Sequence, residues 1–172
     1  MDKDYHKQVI IGTGSYDTVK SGNTVSITGD GGSAWNYYGP AYKKLAPRLI
    51  TYEEYANNLK ILEDLKGKTA SKKYQELKRQ NELKYIESYY ETRLKNLNVY
   101  YLLENLQEKF GLNIILLCHE PIMEFNHRRV VADYICLKTG IYIPEIEVSK
   151  DGNITLMRPI SYEPELKRIM KR

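Results

Sequence analysis

The side chains most able to do chemistry are concentrated between residues 118 and 128. Cys118 and Glu120 follow an apolar run, and Asn126, His127 and Arg128 come shortly after them. An imidazole titrates near neutral pH, and a carboxylate beside apolar residues can have a raised pKa. We therefore predict that Glu120 and His127 are catalytic acid–base groups. A structural salt bridge from Glu120 to Arg128 is an alternative with equal support.

Cys118 is a candidate nucleophile as well as a candidate ligand contact. In the first case His127 would act as its base and Arg128 would bind the anion. The spacing of the phosphatase loop, Cys-x5-Arg, is absent, because Arg128 lies too far from Cys118. A buried, inert cysteine at a strand end is the more usual case, which disfavours a nucleophile, and Cys118 is predicted as a ligand-binding rather than a catalytic residue.

Two arginines fall in the first turn of a helix predicted to start at Asn126, which is a favourable N-cap residue. A helix N-terminus carries partial positive charge, so Arg128 and Arg129 there require a negative partner. A bound phosphate or carboxylate would supply it, with Asn126 and Arg128 as ligand-binding residues. Internal pairs with Glu120 or Glu124 would supply it equally well, and both interpretations stay open.

A metal site is not expected from this pattern. Zinc requires three or four ligands, and Cys118, His119, Glu120 and His127 could reach that number. Neighbouring residues in a strand point to opposite faces, however, so Cys118 and His119 would diverge. Neither CxxC nor HExxH occurs. The sequence therefore predicts no metal and no cofactor.

A second candidate ligand segment follows the first apolar run. Gln8–Ile11 is predicted to be a buried strand that ends in a tight turn at Gly12–Ser15. Glycines there would let the backbone approach a ligand closely, and Ser15 and Tyr16 are predicted ligand-binding residues facing the same crevice. The dinucleotide fingerprint is incomplete, because Asp17 stands where a third glycine is expected.

The elements that position these groups follow an α/β pattern. Ile114–Cys118 is a continuous apolar run, typical of a central parallel strand covered on both faces, and a helix is predicted at about 126–138. Residues 24–28 alternate and predict another strand. Ligands of open α/β sheets bind beyond the carboxyl ends of the strands, which is where Cys118 and Glu120 fall. The predicted fold is a small, mostly parallel sheet with flanking helices.

A helical middle segment at about 51–110 is predicted to be inserted in this sheet. Thr51 and Glu54 fit a capping box, and Ser71 is the predicted cap of a second helix. The apolar stripe breaks near Asn98 and then resumes. Because no heptad repeat is sustained, a helix pair packed on the sheet is favoured over a coiled coil that binds a partner.

Composition limits the classes of protein that fit. The chain has 172 residues, which suits one domain spanning 1–172, and a net charge of +4. That charge permits contact with phosphates, whereas dedicated nucleic-acid binders usually carry a denser basic patch. The charged N-terminal residues and the short apolar runs predict a cytoplasmic protein without a membrane partner. The oligomeric state stays open.

Two motifs resemble the signature of the Domain of Unknown Function 488 family. The motifs are Leu116–Glu120 and Phe125–Ile135. Two earlier segments, a glycine-rich loop before Trp35 and Leu45–Pro47, are also similar to parts of that family. The similarity covers most of the chain in order and spacing. One position departs, since Asn126 stands where the family has a second cysteine, and this disfavours redox or metal chemistry that needs both.

The resemblance implies an α/β fold in which Cys118, Glu120, His127 and Arg128 share a polar pocket. It supplies no reaction. We expect the protein to bind a small anionic ligand, a nucleotide or nucleotide derivative. Arg128 and the helix N-terminus would hold its phosphate, and some of the 16 tyrosines would cover its base. Hydrolysis of a phosphate or glycosidic bond by Glu120 and His127 stays open.

Two alternative functions belong to other classes. A nucleic-acid-associated protein acting on DNA or RNA would use the same groups together with Lys43, Lys44 and Arg48. A phage-encoded interaction or counter-defence protein, working in the host cytoplasm, would use the long polar helices. No motif in the sequence supports the second alternative directly.

Overall fold

The structure, a computed structural model, describes residues 9–65 and 72–172. The strands are β1 (Ile10–Ser15), β2 (Asn23–Ser26), β3 (Ser33–Ala34), β4 (Tyr37–Tyr38), β5 (Ile114–Cys118), β6 (Glu145–Val148) and β7 (Ile154–Met157). The helices are α1 (Leu49–Leu65), α2 (Lys72–Tyr89), α3 (Val99–Phe110), α4 (His127–Thr139) and α5 (Glu163–Met170). None of these described helices has the length and apolar character needed to cross a membrane.

The main sheet has five strands in the order β2-β5-β1-β6-β7. β5 pairs in parallel with both β2 and β1, β6 runs parallel to β1, and only β7 is antiparallel to its neighbour. Strands β3 and β4 form a separate hairpin. The predicted α/β fold with a mostly parallel sheet and flanking helices is therefore confirmed.

Strand β5 is buried along its whole length because its side chains enter two different cores. Ile114 and Leu116 pack in the main core, which also contains residues of α2, α3, α4 and α5. Ile115 and Leu117 join a smaller core around Tyr16 on the other face. This two-sided burial confirms the prediction from the continuous apolar run, and it fixes the carboxyl end of β5 beside those of β1 and β2.

The predicted turn at Gly12–Ser15 is wrong, because β1 continues through Ser15 in register with Cys118. The two glycines serve a different purpose, namely close packing against β6. A Cβ atom at Gly12 would lie 2.6 Å from the Ile146 side chain, and one at Gly14 would lie 2.9 Å from the Ile146 carbonyl oxygen. They therefore let β1 and β6 approach each other within the sheet.

The helical middle segment is confirmed, with corrections to its caps. The first helix begins at Leu49, so Thr51 is inside it and bonds to the Ser88 hydroxyl at 2.5 Å rather than forming a capping box. The predicted cap at Ser71 lies outside the described residues. A π-helical turn at 90–94 ends the long helical stretch, and Asn98 caps α3 by accepting a hydrogen bond from the Tyr101 amide. The predicted break is therefore at the right place.

Candidate functional site

A cavity of about 620 Å³ opens beyond the carboxyl ends of β2 and β5. Residues 28–30 after β2, His119 and Glu120 after β5, and His127 at the start of α4 contribute to its wall. Because β2 and β5 are parallel neighbours, the loops that follow them emerge at the same edge of the sheet. The fold thus brings both predicted catalytic residues into one cavity.

His127 is buried, and its Nε2 atom lies 2.6 Å from the carbonyl oxygen of Ile27. A carbonyl oxygen only accepts hydrogen bonds, so Nε2 must carry the proton, and Nδ1 is the acceptor of the neutral ring. Burial lowers the pKa of His127 below its ordinary value, although the nearby Glu120 opposes the effect. His127 is therefore held as a neutral imidazole in a single tautomer.

Glu120 is oriented by its neighbour His119 rather than by an arginine side chain. Its Oε1 atom lies 3.3 Å from Nε2 of His119, whose side chain is half exposed. Its Oε2 atom is buried and has no hydrogen-bond partner among residues 9–65 and 72–172. Arg128 contacts only the backbone oxygen of Glu120, at 2.8 Å. One carboxylate oxygen therefore stays without an internal partner next to the cavity.

The thiol of Cys118 lies beneath these two side chains and is fully buried. Its sulfur, an oxygen of Glu120 and a ring nitrogen of His127 all lie within 4.8 Å of one another. Burial raises the pKa of Cys118 to about 12, against the opposing effect of Arg128. Without a metal the residue is a neutral thiol, which disfavours the nucleophile interpretation because the thiolate is the reactive form.

Arg128 is completely buried and pairs with Glu145 of β6, its Nε donating to Oε1 at 2.9 Å. Its Nη1 donates to the Cys118 sulfur at 3.1 Å. It lines a second cavity of about 120 Å³, with Ser15 and Glu145, and not the larger one. The structure therefore places this predicted phosphate-binding residue at the smaller cavity and pairs it with an internal carboxylate.

The second arginine of the turn is neutralised in a similar way. Arg129 Nη1 donates to the Thr13 hydroxyl and to the Ile143 carbonyl oxygen, each at 2.8 Å, and Nη2 lies 3.8 Å from Asp133. The pairs with Glu120 or Glu124 that the sequence left open are thus replaced by pairs with Glu145 and Asp133. Each arginine thus has an internal carboxylate partner, although Nη2 of Arg128 and Nε of Arg129 are buried without a hydrogen-bond partner among the described residues.

Tyr16 and Asn126 have clear roles in shaping the site. The Tyr16 hydroxyl lies 2.8 Å from that of Thr28 and 3.1 Å from both carboxylate oxygens of Asp30, and so it fixes the loop that forms the cavity wall. Asn126 caps α4 by accepting a hydrogen bond from the amide of Arg129, which confirms the predicted cap. Neither side chain lines the larger cavity.

The side chains that add positive charge and aromatic surface to the cavity were not predicted as ligand contacts of this site. Lys43, Arg93, Tyr52 and Tyr85 come from the helical segment and the turn before it. Lys43 was singled out only as a nucleic-acid contact, and Arg93 lies within a helical pattern that gives no signal of chemistry. Contacts made by an inserted segment depend on how it docks, and local sequence patterns do not specify that docking.

Comparison with protein-family models, with curated proteins and with solved structures found no match. The similarity to the Domain of Unknown Function 488 family therefore stays a resemblance, carried by the two motifs around β5 and α4. Conclusions about function rest on the cavity and on the groups that surround it.

Proposed function

We propose that the protein binds a small anionic ligand of nucleotide size in the 620 Å³ cavity, which is in the usual volume range of ligand sites. Lys43 and Arg93 would contact the phosphate, and Tyr52 and Tyr85 would contact the base or sugar. In this proposal Lys43 and Arg93, and not Arg128 as the sequence predicted, are the phosphate-binding residues. We also propose that the protein acts in the cytoplasm, which would be that of the host cell if the gene is phage-encoded.

The charge state of the cavity wall carries this proposal. Among the described residues, neither Lys43 nor Arg93 belongs to an ion pair, although Arg93 Nε donates to the Ala46 carbonyl oxygen at 2.8 Å. The acidic residue Asp30 accepts hydrogen bonds from Tyr16 and, at 2.8 Å, from the Gly32 amide. The cations are thus available to a ligand, whereas the Asp30 carboxylate is engaged internally.

The aromatic residues supply the apolar part of the binding surface. The Tyr85 side chain is held in place by an edge-to-face contact with Phe125 at 4.8 Å between ring centroids. Tyr52 is part-exposed on α1, where it is free to cover a ligand. A rigid ring and an accessible ring in the same cavity lining suit a flat base, because offset stacking adds to the apolar area buried.

Hydrolysis is a second candidate function, and the pairing of His127 with Glu120 in one wall favours it. A neutral imidazole with a fixed acceptor nitrogen can take a proton from water, and a carboxyl group can give one to a leaving group. Release of inorganic phosphate or free base, measured by chromatography with each common nucleotide, tests this function. Retention of full activity in His127→Gln would contradict it.

Binding itself is tested by titration calorimetry with nucleoside mono-, di- and triphosphates. Lys43→Ala should weaken binding about tenfold, because a charged hydrogen bond contributes about 1.5 kcal/mol at an exposed position. Arg93→Gln should weaken it between about 10- and 100-fold, because the half-buried guanidinium can donate two bonds. Lys44→Ala is the matched control, since Lys44 is the exposed neighbour that does not line the cavity.

The same variants separate this proposal from the nucleic-acid alternative. Binding of a mononucleotide should depend weakly on salt. Binding of single strands should fall with a logarithmic slope of about −0.7 for each phosphate contacted. Equal weakening by Lys44→Ala and Lys43→Ala, with steep salt dependence and tighter binding of oligonucleotides, would replace the small-ligand proposal with the nucleic-acid alternative.

A further inference from the structure

We propose that Cys118, Glu120 and His127 form a zinc site at the edge of the large cavity, which Glu120 and His127 line and beside which Cys118 is fully buried. Their three ligand atoms lie within 4.8 Å of one another, although the residues are up to nine positions apart in sequence. In tetrahedral zinc sites, bond lengths of about 2.0–2.3 Å place the ligand atoms roughly 3.5 Å apart. Small side-chain rotations would therefore bring the three atoms around one ion.

The hydrogen bond made by His127 is the one expected of a metal ligand. Histidines that bind metals almost always donate the proton of the other ring nitrogen to a carbonyl or carboxylate oxygen. Here Nε2 donates to the Ile27 carbonyl oxygen at 2.6 Å, which leaves the lone pair of Nδ1 for the metal. The backbone after β2 thus fixes the ring in the tautomer that zinc requires.

Glu120 is suited to bind a metal, because one of its carboxylate oxygens is held in place and the other has no partner. Oε1 contacts His119 at 3.3 Å, and Oε2 is buried without a hydrogen-bond partner among the residues that the structure describes. A buried carboxylate oxygen without a partner costs free energy that a bound cation would recover. The two oxygens therefore divide into one that positions the group and one that is available as a ligand.

The choice of zinc follows from the donor atoms and from the local charge. A thiolate and an imidazole favour zinc over magnesium or calcium, which prefer oxygen ligands only. Arg128, which donates to the Cys118 sulfur at 3.1 Å, is already neutralised by Glu145. The Cys118 thiolate and the Glu120 carboxylate would then balance the dication, with a fourth position open toward the cavity.

This proposal departs from the expectation that the site holds no metal, although the divergence on which that expectation rested is observed. Cys118 and His119 do separate, since Cys118 is buried and the His119 side chain is 50% exposed. The ligand that completes the set with Cys118 and Glu120 is instead His127, which comes from the first turn of α4. The zinc site does not rest on nucleotide binding, because its three ligands are defined without Lys43 or Arg93. It is an alternative to the acid–base roles of His127 and Glu120 in hydrolysis, because the same nitrogen and carboxylate would bind the metal.

The test is elemental analysis of untagged protein purified without chelator, followed by removal of metal and titration with Zn²⁺ and Co²⁺. We expect about one zinc per chain, and for Co²⁺ a thiolate charge-transfer band in the near ultraviolet. Cys118→Ser should abolish that band and weaken zinc binding at least about 100-fold, more than loss of an outer partner. Cys136→Ser, which changes the other cysteine, should leave both signals unchanged.

Two results would overturn the zinc site. One is a wild-type protein that neither retains zinc nor takes up either ion to one per chain. The other is a folded Cys118→Ser variant that binds zinc as tightly as the wild type. Nucleotide titrations of the metal-free and zinc-loaded forms distinguish the two proposals. A chain that binds nucleotides through Lys43 but takes up no zinc refutes only the zinc site, and a chain that takes up one zinc but binds no nucleotide refutes only the nucleotide site.

Discussion

Truncation of Glu145 should destabilise the protein strongly, because it leaves a buried guanidinium without its counter-charge. The side chains of Arg128 and Glu145 are 0% and 2% exposed, and Nε lies 2.9 Å from Oε1. Removing one member of such a pair costs about 3–5 kcal/mol. Two contacts of Arg128 would remain, to the Glu120 carbonyl oxygen and to the Cys118 sulfur, but neither is a full negative charge in the metal-free protein.

Urea unfolding, followed by circular dichroism, measures this loss. With a slope of about 2 kcal/mol per molar urea, Glu145→Ala should lower the midpoint by roughly 2 M. Glu147→Ala, on the same strand, is the matched control and should change stability by about 0.5 kcal/mol or less. The Glu145→Gln variant keeps a hydrogen-bond acceptor without the charge, so its urea midpoint should lie between those of Glu145→Ala and Glu147→Ala. It gives a second measurement if the alanine variant does not fold.

A double-mutant cycle tests the cause of the loss. If the cost arises from the unpaired cation, Arg128→Met combined with Glu145→Leu should be more stable than Glu145→Ala alone. A loss below about 1 kcal/mol in Glu145→Ala would refute the inference that the pair is buried and mutually neutralising. Arg128 would then be accessible to an external anion, as the sequence pattern suggested.

Three further changes have defined outcomes. Gly14→Ala should cost about 1–3 kcal/mol in urea unfolding, because its Cβ would lie 2.9 Å from a backbone oxygen of β6, whereas Gly29→Ala meets no atom within 4 Å and should be nearly neutral. Asn126→Ala should lose about 0.5–2 kcal/mol of stability in thermal unfolding, through loss of the α4 cap. Burial raises the pKa of Tyr16 to about 12, above its unfolded value of about 10. The protonated Tyr16 hydroxyl should therefore contribute fully to the free energy of unfolding below pH 10, and this contribution should decline toward pH 12. The Tyr16→Phe variant should show a flatter dependence of stability on pH in that range.

The unit formed by β5 and α4 could be predicted because its signals are local. A continuous apolar run indicates a buried parallel strand, and an asparagine before a helical pattern indicates an N-cap. Both hold for Ile114–Cys118 and for Asn126. Their order along the chain also predicts that Glu120 and His127 meet at a strand end, as the structure shows.

The partners of the arginines could not be predicted, because they come from distant elements. Glu145 lies on β6, 17 residues beyond Arg128, and meets it only because β6 pairs with β1. The same limit applies to Gly14, which resembles a turn residue until the close approach of Ile146 is known. Local rules rank the propensities of a segment, but pairing between distant strands decides which carboxylate neutralises which guanidinium.

The most direct test of nucleotide binding is a proton–nitrogen correlation spectrum of isotope-labelled protein titrated with nucleotides at up to about 2 mM, where weak sites of roughly −4 kcal/mol are still visible. We predict that the shifted amides cluster around Thr28–Asp30, Lys43, Arg93 and His119–Glu120, which surround the large cavity. Absence of any shift with every nucleotide tested would contradict the account. So would shifts centred on Lys44 and Arg48 with unchanged signals at Glu120 and Arg93.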